Sequence, residues 1–120
     1  METNRPQSGA DTERVCPHYH AAIELIGRRW SGAILWALGQ APCRFSDFRE
    51  AIPDISDRLL SERLKELEDA GLIVRVVNTS TRPVQVLYRL TPKGEELQPL
   101  MAQIGVWAAK WAQREAEAAS

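Results

Sequence analysis

The chain has 120 residues, one domain's worth, and its 44% hydrophobic and 26% charged residues are too apolar for a disordered protein and ordinary for a globular one. No apolar run approaches the roughly 18 residues of a membrane span, and the polar first 14 residues lack the apolar centre of a secretory signal, so no membrane partner and a cytoplasmic location are expected. The net charge of −1 conceals a basic middle: residues 28–93 hold eleven Lys and Arg against eight Asp and Glu, between two acidic flanks, which leaves room for an anion-facing segment.

Residues 1–14 have no periodicity and read as a flexible N-terminal arm. Cys16-Pro17 opens the ordered domain, with proline suited to a first helical position. Ala22, Ile23, Ile26 and Trp30, then Ala33, Ile34, Ala37 and Leu38, recur at helical spacing. Gly27 divides them into helices over about 17–26 and 29–39. Ser46 predicts the cap of a short helix through Ala51, ended by Pro53. Ser56-Asp57 starts the next helix, with Ile55 and Leu60 placed as a hydrophobic staple. That helix runs to Ala70 and stops at Gly71. At about 100° per residue, Leu60, Leu64 and Leu67 share one face, while Arg58, Ser61, Glu62, Lys65 and Asp69 fall opposite.

Residues 72–77 and 84–90 read as two strands. The second alternates Val84, Val86, Tyr88 and Leu90 with Gln85, Leu87 and Arg89. The polar residues 78–83 form the hairpin tip. Thr91-Pro92 opens a final helix carrying Leu97, Leu100, Met101, Ile104, Trp107 and Trp111 at spacings of three and four, with a kink expected at Pro99. Residues 115–120 read as a flexible tail. The fold class is mainly α with a small β-hairpin: a winged helix-turn-helix over residues 15–114, dimeric through its N- and C-terminal helices.

In this order the segments resemble the HxlR family of bacterial transcription regulators, a branch near the MarR-type winged helices. The resemblance rests on Cys16-Pro17, Ile26-Gly27-Arg28-Arg29-Trp30 and Arg44-Phe45-Ser46-Asp47-Phe48. It continues through Ile52-Pro53-Asp54-Ile55-Ser56, Leu60-Ser61-Glu62-Arg63-Leu64-Lys65-Glu66-Leu67, Gly71-Leu72-Ile73 and Tyr88-Arg89-Leu90-Thr91-Pro92-Lys93-Gly94. It spans about residues 15–112. The chain departs from the family at Glu62, where a basic or amide residue is common, and in its wealth of tryptophan.

The resemblance implies a homodimeric DNA-binding regulator, a repressor acting on a pseudo-palindromic operator in double-stranded DNA. Arg58 and Ser61 are the expected base readers at the front of the recognition helix, with Glu62 on the same face. Arg63 and Lys65 suit phosphates, Arg63 alternatively bracing the wing. Ser56 and Ser46 sit at helix starts, with Arg29 and Arg44 as nearby cations. Thr81 and Arg82 occupy the wing tip, Arg82 suited to a narrow minor groove. The competing reading is a winged helix that binds protein rather than DNA, favoured by the acidic second half of the recognition helix.

Two signals are compatible with the sequence. Some members of the family sense oxidants or electrophiles through a cysteine in the region of Cys16, where a helix start favours thiolate. A small aromatic or apolar effector is the rival, held at a pocket or dimer interface around Trp36, Ile104, Trp107 and Trp111. No cofactor is implied. Cys16, His18 and His20 do not converge on a metal from one helix, and no nucleophile–base set or phosphate loop suggests an enzyme.

Overall fold

The computed structural model describes residues 14–120, so the expected arm lies, but for Arg14, outside the described residues. Helix α1 (Pro17–Ile26) begins with proline at its first turn and closes at Gly27, whose N–H donates to the Ile23 carbonyl at 2.8 Å. Helix α2 (Ser31–Gln40) starts two residues later than the expected 29. Trp30 causes the delay: its φ of 80° is left-handed, a conformation that costs a bulky residue energy, so the chain turns through Arg28–Trp30 before the helix starts.

Helix α3 (Phe45–Ala51) corrects the expectation for Ser46. The cap is Arg44, whose N–H donates to Asp47 Oδ2 at 2.7 Å. That charge-assisted bond closes the first turn from Arg44, so Ser46 falls inside the turn and is exposed. Helix α4 (Asp57–Asp69) starts as predicted, with Ser56 Oγ accepting from the Leu59 N–H at 3.1 Å. At its other end Gly71 (φ +80°) donates to the Glu68 carbonyl and Leu72 to the Leu67 carbonyl. This is a Schellman closure, with Leu67 and Leu72 both buried beneath it.

Strands β1 (Ile73–Asn78) and β2 (Gln85–Leu90) pair antiparallel from Ile73↔Leu90 to Asn78↔Gln85. The first strand starts one residue later than expected because the Leu72 N–H is spent on the α4 closure. Cys43, in the segment between α2 and α3, exchanges two backbone bonds with Tyr88 and lies on the other edge of β2.

Helix α5 (Pro92–Ala119) is capped by Thr91, whose Oγ1 accepts from Gly94 N–H at 3.2 Å. Gly94 presses against the Leu72 backbone so closely that a Cβ there would collide with the Leu72 carbonyl. The helix passes through Pro99 as one element. It continues through residues 115–119, which the sequence had suggested as tail.

Core and projection separate along the chain. Ile34, Leu35 and Leu38 of α2 meet Phe48 of α3, Leu60, Leu64 and Leu67 of α4, and Ile73 and Leu90 of the hairpin. Beyond Met101 every residue of α5 is exposed, and α1 has no buried residue. The radius of gyration is 18.3 Å, against about 13–14 Å for a compact chain of this length. Helix α1 meets the core only through Leu25 and Ile26 at its end, and α5 reaches out of the domain past Met101.

Candidate nucleic-acid interface

The outward face of α4 is polar and exposed, as the helix pattern predicted. Leu60, Leu64 and Leu67 anchor it, and Arg58, Ser61, Glu62 and Lys65 are exposed. The cations on and around this face are held by neighbouring acids. Arg58 Nε lies 3.9 Å from Glu62, Lys65 Nζ 3.3 Å from Asp69, and Arg44 Nε 3.7 Å from Asp47. Arg49, at the end of α3, reaches across the helix-turn-helix to Asp57 at 3.4 Å and stacks over Phe45. These exposed pairs are individually weak, so a polyphosphate can displace the acids, but each displacement has a cost. Glu62 is therefore a partner of Arg58 within the surface.

Arg63 lies elsewhere than expected. It faces neither a phosphate nor the wing: its side chain is 9% exposed, its Nε donates to the Arg29 carbonyl at 3.0 Å, and its Nη1 lies 3.4 Å from Glu66 Oε2. The geometry is set by register, since position 63 precedes Leu64 on the border of the buried face and points to the turn between α1 and α2. Arg29 lies on that turn, its guanidinium stacked 4.8 Å over the Trp30 ring.

The hairpin tip is ordered by its own side chains. Asn78 Oδ1 accepts from Ser80 N–H at 3.0 Å, and Thr81 Oγ1 donates to the Asn78 and Pro83 carbonyls. Arg82 Nη1 donates to the Thr79 and Thr81 carbonyls at 2.7 and 3.0 Å. The wing tip thus carries one exposed cation folded onto its own backbone, with Arg75 and Arg89 exposed on the two strands.

Cys16 is exposed at the start of α1, and both cysteines are free thiols. Cys43 is buried beside β2, and burial, with the Asp47 carboxylate adding a smaller effect, raises its pKa above the ordinary 9.0. Among the described residues no group of His, Cys, Asp and Glu is placed to hold a metal, and no helix is long and apolar enough to cross a membrane.

Trp36, Ile104, Trp107 and Trp111 are exposed, and none of them lines either of the two cavities found among the described residues. The apolar groove, about 440 Å³, lies instead between α1 and the first turns of α5, walled by Ala22, Leu25, Leu97 and Leu100 with His18 and Glu96. Sequence reasoning missed this groove because its walls come from helices 70 residues apart. It also missed Arg49, Arg28 and Glu66, whose partners lie across turns rather than at helical spacing. Their types and positions are visible in sequence, but the turn geometry that pairs them is not.

A two-helix motif, an exposed polar face on its second helix and an adjoining hairpin define a winged helix-turn-helix regulator. Residues 25–116 match the model of the HxlR-like helix-turn-helix family. The chain is 41% identical over 97 residues to the HTH-type transcriptional regulator YvaP of Bacillus subtilis (strain 168), covering 81% of this chain and 89% of YvaP. It is 44% identical over 94 residues to YodB of the same organism, covering 78% of this chain and 83% of YodB. Among solved structures it superposes on quinone-bound YodB with a TM-score of 0.70 at 40% identity, over 80% of this chain and 99% of that one. Diamide-treated YodB gives 0.71 at 41% identity, over 82% and 96%. The chain belongs to the HxlR family: it is an HTH-type transcriptional regulator, of a family whose members are not enzymes.

Proposed function

We propose that the protein is a homodimeric repressor that binds a pseudo-palindromic operator and leaves it on a thiol-reactive signal. The observation that carries this reading is the division of α4: three leucines bury one face and leave Arg58, Ser61, Glu62 and Lys65 exposed on the other, next to a wing that presents Arg82 and Thr81. The first turns of α4 enter the major groove, where Arg58 pairs with a guanine edge and Ser61 donates or accepts. Lys65, Arg44 and Arg29, with the exposed Ser46 and Ser56 hydroxyls, meet the flanking phosphates. The buried Arg63 holds the helix in place. A twofold pairing through α5 and α1 sets two such heads about one DNA turn apart. The protein works in the cytoplasm, where the operator is.

Cys16 is the proposed sensor. It is exposed at the start of a helix with no buried residue, two positions from His18, which lines the groove. The solved relatives bound to a quinone or treated with diamide support a thiol-reactive signal over a purely reversible aromatic ligand.

The test is operator binding at fixed salt, using a duplex retained by the protein from fragmented genomic DNA. Arg58→Ala should weaken binding by about 1–3 kcal/mol and relax base preference at one position. Arg82→Ala should lower the steepness of affinity against salt by about 0.9 if it meets a phosphate. Unchanged affinity in both variants overturns the contact surface. Failure to retain any duplex moves the protein to the protein-binding reading, which the acid-paired cations of the reading face would then favour.

A further inference from the structure

The turn between α1 and α2 is fastened to the middle of the recognition helix by a closed set of polar contacts. Glu66 Oε1 lies 3.5 Å from Arg28 Nε, and its Oε2 lies 3.4 Å from Arg63 Nη1. Arg63 Nε then returns to the same turn through the Arg29 carbonyl at 3.0 Å. Both oxygens of one carboxylate therefore link a residue of the turn to a buried arginine that also holds the turn.

The neighbouring geometry is not that of a relaxed loop. Trp30 is left-handed at φ 80° and starts α2 with no side-chain cap. Its indole Nε1 and Glu66 Oε1 are buried without a hydrogen-bond partner. Glu66 Oε1 is held there by the Arg28 ion pair, so that arm of the clasp is electrostatic.

We infer that Glu66 is a positioning residue for operator binding, holding the turn of α1 and α2 against Arg63 so that the rotation of α4 depends on where that turn stands. The inference rests on the DNA-binding reading above. The three leucines fix α4 against the core, but apolar contact is non-directional; the two-armed carboxylate adds direction. Helix α1 has ten residues and is about 15 Å long. With nothing buried along it, the clasp is the polar link between α1 and the reading face. Reciprocity follows: if the turn biases α4, DNA on α4 stabilises the turn.

Glu66→Gln gives a test whose sign discriminates. Removing an acid from a DNA-facing helix should tighten binding if charge alone matters. The clasp requires the opposite: operator affinity falls about tenfold, with the salt dependence unchanged because no phosphate contact is lost. Arg28→Ala should weaken binding similarly, also at unchanged salt dependence, and the double variant should be no weaker than the weaker single one. Hydrogen exchange supplies a second readout: operator should slow exchange of the residue 26–31 amides in the wild type and fail to do so in Glu66→Gln. If Glu66→Gln lowers the melting temperature steeply, Arg28→Ala carries the test, since its side chain is half exposed. Tighter binding by Glu66→Gln, unaltered binding by both variants, or a salt dependence lowered by Arg28→Ala would overturn the inference. A wild-type chain that retains no duplex overturns the DNA reading itself, an outcome separate from wild-type binding that Glu66→Gln leaves untouched.

Discussion

Trp107 on α5 gives the sharpest test of the proposed twofold assembly. Its side chain is 63% exposed, on a helix where Leu100, Ile104, Val106 and Trp111 are also exposed. A tryptophan presents on the order of 200 Å², so about 125 Å² of Trp107 is open to water. At about 25 cal/mol per Å², covering it is worth about 3 kcal/mol. A twofold interface covers it twice, so Trp107→Ala removes up to about 6 kcal/mol of association, an upper bound that assumes complete burial in the dimer. With 1.4 kcal/mol per factor of ten, the dimer dissociation constant should rise by as much as about 10⁴. Sedimentation equilibrium across a range of concentrations reads this directly. The domain core should be untouched, because Trp107 lies beyond the last α5 residue packed on it, Met101. A monomeric wild type, or a Trp107→Ala chain that dimerises as tightly as the wild type, would refute the reasoning. Loss of operator affinity should accompany dissociation, since each head alone keeps one half-site.

Two further outcomes follow from the thiols. Cys16→Ser should keep operator affinity and lose release by diamide, measured by gel shift with and without reductant; a variant still released by diamide excludes Cys16 as sensor. Cys43 predicts a pH effect of definite sign. Its folded pKa is raised, chiefly by burial, so above about pH 9 the unfolded chain sheds its thiol proton before the folded one does. That contribution to stability is complete below the unfolded pKa and is lost as pH rises through the folded value. Urea melts of wild type and Cys43→Ala should diverge in slope only on the alkaline side, and parallel curves from pH 8 to 10 would contradict it.

The legible part of the molecule was local. Ser56, Gly71, Thr91 and Pro92 mark helix ends by their own backbone and side-chain chemistry, and the leucine spacing of residues 60–67 specifies which side of α4 goes inward. The alternation of residues 84–90 specifies a strand for the same reason: a two-residue period has one geometric solution. Ser46 misled because the helix starts one residue before it: Arg44 takes the cap position, its own N–H held by the Asp47 carboxylate three residues on, and Ser46 falls inside the first turn.

The sequence by itself determined the elements, their order and the outward polar face of the second motif helix, because these depend on torsions and periods within a few residues. It did not determine which way Arg63 turns, that Trp30 goes left-handed, that Cys43 pairs with β2, or that α1 and α5 enclose a groove while the tryptophans stay outside it. Each of those depends on which distant surfaces meet. A buried arginine and an exposed one have the same local pattern, and only the position of the Arg29 carbonyl against the middle of α4 separates them.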